Sequence, residues 1–206
     1  MSKTKQTSFV QDAIRLMLIT LIAGCLLGIV YYVTYEPIQA AQLAATKKAY
    51  QQVYPDAADF SDNADSEALI EAAAGDIAAQ GFGNVQIDRV VDAHDASGAV
   101  VGHVINATSK EGFGGAISIS AGIRKDGTLN GIAFLTIAES AGLGMNARDT
   151  DWYKQFENKQ EERYEVTKSG ATEANQINAI SGATITSRAV TNAVNAAVYF
   201  ANSCMN

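Results

Sequence analysis

Residues Leu16 to Tyr35, LMLITLIAGCLLGIVYYVTY, carry no charged side chain. As a helix rising about 1.5 Å per residue, such a run measures roughly 30 Å, the thickness of a bilayer's hydrocarbon core. The run therefore predicts one transmembrane helix over 16–35, and the water-exposed fold must be built from the residues beyond it. Tyr31, Tyr32 and Tyr35 gather at the C-terminal end of the run, as an interfacial aromatic belt does. Lys3, Lys5 and Arg15 precede it and Glu36 comes directly after it. The positive-inside bias predicts a cytoplasmic tail over 1–15 and an extracytoplasmic location for everything after Tyr35, in a cell inner or plasma membrane.

Two other readings compete for this run. A cleaved signal peptide has a shorter apolar core, although Ala40 and Ala41 lie just beyond. Ile22-Ala23-Gly24-Cys25 has the look of a lipobox, but Leu26, Leu27, Ile29, Val30 and Val33 carry the apolar run onward where a mature lipoprotein turns polar. A retained helix, with Cys25 as a small apolar residue, is the expectation. Gly24 and Gly28 have small-xxx-small spacing, which fits helix packing or the ordinary glycine content of such helices.

The 206 residues carry a formal net charge of −7. That balance excludes phosphate-tracking nucleic-acid binding and charge-driven adhesion to anionic lipid. The two cysteines, Cys25 and Cys204, lie at opposite ends, and no CxxC or Cys/His cluster is present. An internal disulfide, a structural zinc and an iron–sulfur cluster held by this chain alone are not expected. His94 and His103 fall in strand patterns without a third ligand nearby, so no metal site is expected.

After Pro37 the pattern predicts a helix over 38–53, a stalk that ends at Tyr54-Pro55-Asp56. Residues 36–60 are read as stalk and linker, and 61–206 as one extracytoplasmic domain. Asp59 to Ser66 reads as an exposed acidic loop, and Ser66 to Gln80 as a short helix. Strand patterns come next at Val85–His94 and Ala99–Thr108, either side of the turn Asp95-Ala96-Ser97-Gly98. Ala116–Arg124 alternates Ile117, Ile119, Ala121 and Ile123 against Ser118, Ser120 and Gly122, and Leu129–Ile137 returns after Lys125-Asp126-Gly127-Thr128. Val190, Val194 and Val198, spaced by four among alanines, mark a C-terminal amphipathic helix. The predicted fold class is α+β, an antiparallel sheet covered by helices and preceded by one transmembrane helix.

The C-terminal helix has a hydroxyl-rich entry, Ser181-Gly182-Ala183-Thr184-Ile185-Thr186-Ser187. A helix start presents unpaired N–H groups and a positive dipole end, which suit a phosphate; by spacing alone it is also an ordinary cap. Two glycine-rich stretches stand out further upstream. Gly112-Phe113-Gly114-Gly115 is either a flexible turn or a loop, with Gly114 in it, that admits a flat ring or phosphate to the backbone. Thr136 to Gly144, TIAESAGLG, brackets Leu143 with two glycines, an arrangement that presses an apolar side chain on a ring face while exposing N–H groups; a plain strand-end loop has the same look. Trp152, four residues before Phe156, either fills the core, the slightly favoured reading, or stacks on a cofactor ring. Arg188, one turn after Thr184, either pairs with a phosphate or is solvated.

Ser181-Gly182-Ala183-Thr184-Ile185-Thr186-Ser187-Arg188-Ala189-Val190 resembles the flavinylation motif of the FMN-binding domain family. That family includes the G subunit of the Rnf (Rsx) complex and the C subunit of the sodium-translocating NADH:quinone reductase. Glu139, Ser140, Leu143 and Gly144 are similar to its Glu-Thr-Pro-Gly-Leu-Gly loop, with Ser140 in place of Thr and Ala141 in place of Pro. Asn178 stands where the motif usually has Asp; it keeps size and carbonyl and loses the charge. Chain length favours the Rnf branch.

The resemblance implies FMN held covalently through a phosphoester on Thr184, with Ser181, Gly182 and Ala183 around it. It also implies a flavin transferase for maturation. The chain would carry electrons between ferredoxin and NAD within an Rnf-type complex, coupled to Na+ or H+ transport by partner subunits. With no nicotinamide fingerprint, no iron–sulfur ligand set and no polytopic channel, the chain is a redox subunit and not a complete enzyme. The alternatives are the quinone-reductase component and a membrane-anchored binding domain without redox function.

Overall fold

The computed structural model describes residues 3–205, with side chains described from Phe9 onward. Met1, Ser2 and Asn206 lie outside the described residues, as do the side chains of Lys3 and Lys5 that bear on the expected orientation. The chain forms two compact units, Met1–Ala45 and Thr46–Asn206.

The first unit is helical. It belongs to α1 (Lys3–Val53), which is continuous through Pro37 rather than beginning after it. Proline lacks the N–H that would bond the carbonyl of Val33, a loss a helix tolerates where that carbonyl meets water or headgroups. The uncharged run stands exposed along its length; Leu16, Ile19, Leu27 and Val33 are each more than half exposed. This is the one helix among the described residues that is long and apolar enough to cross a membrane. Cys25 is exposed on it as a free thiol.

The second unit is built on a five-stranded antiparallel sheet in sequence order: β1 (Asp59–Asp62), β2 (Val85–His94), β3 (Val100–Ser109), β4 (Ile117–Arg124) and β5 (Leu129–Thr136). Strict alternation puts Ile105, Ala107, Ile117, Ile119, Ala121 and Ile123 on the inner face, all at most 1% exposed. Against them packs α4 (Thr184–Cys204), whose Val190, Val194 and Val198 are buried, each contributing about 2 kcal/mol of apolar burial. Helix α2 (Ser66–Ala79) adds Ala73 and Ile77 to the same core. The outer face is covered by the last turns of α1. Ala49, Tyr50, Val53 and Tyr54 pack on Val91, Ala93, Val104 and Ala133. The Tyr50 hydroxyl accepts from Asn106 Nδ2 at 2.9 Å, and the Tyr54 hydroxyl donates to Val101 O at 2.8 Å. Burial pushes both phenols above the usual tyrosine value.

The architecture is the expected α+β sheet with helices; two local readings are corrected and one element is added. Asp59–Asp62, read as loop, is an edge strand paired with Val91–His94; its sequence DFSD has one partly buried side chain, Phe60, and so no alternation to detect. Trp152 and Phe156 lie on a 3₁₀ turn (Asp151–Phe156) after the one-turn helix α3 (Asn146–Asp149). A small parallel pair, β6 (Glu165–Thr167) with β7 (Gln176–Asn178), precedes the α4 entry and was not anticipated.

Candidate functional site

Three loops meet at one end of the sheet because β4 starts where β5 ends: Ser118 pairs with Thr136. The 112–115 loop enters β4 and the 137–144 loop leaves β5 at that edge. Glu139 joins them, its Oε1 accepting the Gly114 N–H at 3.2 Å, while its Oε2 is buried with no hydrogen-bond partner among the described residues. Ser140 O accepts from the N–H groups of Leu143 and Met145, and Asn146 Nδ2 donates to Gly142 O, so the loop closes into a turn that turns Leu143 outward. Gly144 lies where a Cβ would sit 2.6 Å from Glu139 Oε2 and 2.7 Å from Thr186 Oγ1, which ties this loop closely to the first turn of α4.

The third loop is the α4 entry. Gly182 adopts φ +76°, a left-handed turn that an L side chain resists, and a Cβ there would also meet Leu143 Cδ2 at 3.1 Å. Ser187, fully buried, staples the loop to the helix: its Oγ accepts Ile180 N–H at 3.0 Å and donates to Ala183 O at 2.9 Å. No side chain among the described residues caps the helix. Among the described residues, the N–H groups of Thr184, Ile185 and Thr186 have no backbone or side-chain acceptor, and the hydroxyls of Thr184, Ser181 and Ser140 make no hydrogen bond. These are open donors at the positive end of a 21-residue helix.

The loops enclose a cleft of about 590 Å³, within the roughly 300–1,000 Å³ common for small-molecule sites. Of the residues singled out from sequence, Glu139, Ser140, Leu143, Gly144, Ser181, Gly182, Ala183 and Thr184 line it together. Gly114, Trp152 and Arg188 do not. Gly114 sits behind Glu139. Trp152 packs against Ala147, Ile180 and Ala183, edge-on to Phe156, and its Nε1 donates to Asn178 O at 2.6 Å. Arg188 is exposed on α4 away from the cleft. Six further residues line the cleft: Phe113, Lys168, Ala179, Ile180, Ile185 and Thr186. Phe113, Leu143 and Ile185 are 70%, 46% and 55% exposed, an apolar rim that faces water. The glycines flanking Phe113 marked the loop in sequence, but nothing local marked Lys168.

Lys168 and Ala179, the residues directly after β6 and β7, bring the end of that pair to the cleft. Gln155 brackets Asn178: Oε1 accepts its N–H at 2.8 Å and Nε2 lies 3.4 Å from its carbonyl. Lys159 Nζ donates to Ala174 O at 2.6 Å, and burial lowers its pKa from the usual lysine value. Among the described residues, the only ionisable side chains lining the cleft are Glu139 and Lys168.

Residues 112–199 match the FMN-binding domain, a stretch that contains all three loops. The G subunit of the Na(+)-translocating ferredoxin:NAD(+) oxidoreductase complex of Acetobacterium woodii is 32% identical over 187 residues, covering 89% of this chain and 86% of that protein. The G subunit of the ion-translocating oxidoreductase complex of Methanosarcina acetivorans is 31% identical over 199 residues, covering 96% of each. Among solved structures, Shewanella oneidensis NqrC is 22% identical with a TM-score of 0.47, covering 57% of this chain and 60% of that chain.

Proposed function

The chain belongs to the G-subunit family of ion-translocating oxidoreductase complexes, and from that premise we propose that it is a flavin-bearing, electron-carrying membrane subunit of an Rnf-type complex. The observation that carries this reading is the convergence, within the stretch matching the FMN-binding domain, of three loops on one cleft with an apolar rim and open backbone donors.

The cleft's chemistry fits FMN. A phosphate is suited by the unpaired N–H groups of Thr184, Ile185 and Thr186, and a flat ring by Leu143, Phe113 and Ile185. FMN supplies one- and two-electron transfer. The chain's own residues hold and orient it, limit water on its apolar faces and set its environment. Thr184 is the attachment point in this reading. Its Oγ forms a bond to the flavin-side phosphorus of FAD, the P–O bond to AMP breaks, AMP leaves, and the hydroxyl proton passes to solvent. A separate flavin transferase performs the step. The product keeps one negative charge at the helix start, where the dipole favours it.

In the same reading, residues 1–15 are cytoplasmic, 16–35 span the membrane, 36–60 connect and 61–206 form the extracytoplasmic flavin domain. Other subunits supply ferredoxin oxidation, NAD reduction and the passage of Na+ or H+. The covalent link keeps a cofactor that outside the cell would be lost by dilution.

The test is the mass of the full-length chain purified from its own host, with the native chain and Thr184→Ala compared. An increment of one FMN mapped to the peptide around Thr184, absent in the variant, is expected. A native chain whose mass equals that of its amino acids, without flavin fluorescence in a denaturing gel, refutes the reading and favours a binding domain without redox function.

A further inference from the structure

We infer that Lys168, held at the cleft by the β6–β7 ladder and by Asn178, is the cation that receives the phosphate end of the flavin. The inference deepens the proposed flavin-carrying role and rests on it.

The placement comes from backbone hydrogen bonds. β6 and β7 run parallel with Thr167 beside Asn178, and Ala179 N–H donates to Thr167 O at 2.8 Å. Lys168 therefore leaves the ladder level with Ala179, five residues before Thr184, and both line the cleft. The chain after Lys168 is turned back by side chains: Asn178 Oδ1 accepts Ala171 N–H at 2.7 Å, and Gln176 Oε1 accepts Thr172 N–H at 2.9 Å. Asn178 itself is fixed through its main chain by Trp152 and Gln155. Asn178 is thus a clamp that keeps the Lys168 turn against the cleft wall.

The charge pattern gives the ligand a direction. Glu139 and Lys168 are the only ionisable cleft residues among those described, and Glu139 belongs to the loop that carries Leu143, while the exposed Phe113 lines the cleft from another loop. Lys168 is the one cation among the described residues lining the cleft, and a phosphate is drawn to it and to the open N–H groups of α4. Lys168 forms no ion pair among the described residues, in a chain with seven more acidic than basic side chains. An exposed lysine without a carboxylate partner among the described residues, lining the same cleft as open helix-start donors, is suited to an anionic ligand. The apolar ring then lies toward Phe113 and Leu143, where an exposed rim otherwise has no partner.

The full-length chain, produced without flavin and kept in detergent micelles, is titrated separately with FMN and with riboflavin, which has the ring and no phosphate. Lys168→Gln is expected to weaken FMN binding roughly three- to fivefold at low salt and leave riboflavin unchanged. Lys168→Arg restores FMN affinity, and the difference from native shrinks at high salt as the charge is screened. Asn178→Ala lowers FMN affinity in the same direction, again without effect on riboflavin. Equal weakening of both ligands, or no change in either, overturns the assignment while leaving the flavin reading intact. A native chain that binds neither FMN nor riboflavin overturns both.

Discussion

Ser187→Ala removes one oxygen atom and tests whether that hydroxyl holds the α4 entry in place. The hydroxyl is fully buried and makes two bonds, accepting Ile180 N–H and donating to Ala183 O. The two bonds are not equivalent. Ala183 O also accepts the Ser187 N–H at 3.0 Å, so it stays paired when the hydroxyl is lost. Ile180 is 8% exposed and its N–H has no other acceptor among the described residues, so the substitution strands a buried donor. A stranded donor costs about 1–3 kcal/mol, and we take about 2 kcal/mol as the expected loss. For a domain of this size that lowers Tm by roughly 4–8 °C, or the urea midpoint by about 1 M. The chain has a single tryptophan, Trp152, which packs on Ile180 and Ala183, so its fluorescence reports unfolding at the same spot. Ser181→Ala, at an exposed hydroxyl that makes no hydrogen bond, is the control and is expected to stay within about 0.5 kcal/mol of native. If Ser187→Ala unfolds within that same margin, the staple does not hold the loop and the preorganised entry loses its basis.

Two further outcomes are expected from the geometry. Gly144→Ala places a methyl against Glu139 and Thr186, and is expected to cost about 1–3 kcal/mol in thermal unfolding and to lower flavin content; an unchanged Tm refutes the tight packing of the two loops. Burial pushes the Tyr164 phenol up to about 12, opposed by the Glu161 main chain, against an unfolded value near 10. Its folded pKa is raised, so its contribution is complete below pH 10 and lost as pH rises toward 12, a loss of about 2–3 kcal/mol that Tyr164→Phe should not show. Urea midpoints of both chains from pH 8 to 12 measure it, and parallel curves refute it.

The sheet was legible because its four long strands are rich in β-branched residues and are separated by turn residues, even where both faces are covered, as in β3 and β4. Val85–His94 has the same bounds in sequence and structure, and the other three differ by a residue at one or both ends. The strand pattern is a record of burial, and it fails where burial does. β1 has one side chain partly covered, and it is defined by backbone bonds to the edge of β2. β6 and β7 have three residues each, too few for a period, and their pairing is parallel, so no hairpin turn announces it. The site divides along the same line. Ser181–Thr184 and Glu139–Gly144 are contiguous stretches whose residue types carry their own chemistry, and both line the cleft. Arg188 is a candidate only through its proximity to Thr184 in sequence, and it is not among the cleft's lining residues; Trp152 takes the core-filling role of its two readings, packed against Ala147, Ile180 and Ala183. Lys168 is the reverse case, sixteen residues before Thr184 and brought to the cleft only by a ladder the sequence does not announce.

Position 178 shows why a motif departure needs its hydrogen bonds before its meaning. Asn in place of Asp removes a charge, and in sequence that loss stands out. In the fold, the side chain at 178 accepts one backbone N–H, from Ala171, through Oδ1. A carboxamide and a carboxylate both offer that oxygen, and the neighbouring Trp152 and Gln155 bond only the main chain of residue 178. For the wall of the cleft the exchange is therefore conservative. It also removes a negative charge from the element that ends next to Lys168, so the cation there faces less competition for a phosphate than it would beside an aspartate. A departure that reads in sequence as a weakened site is, on these contacts, compatible with an intact one, and the electrostatic difference it makes favours an anionic ligand.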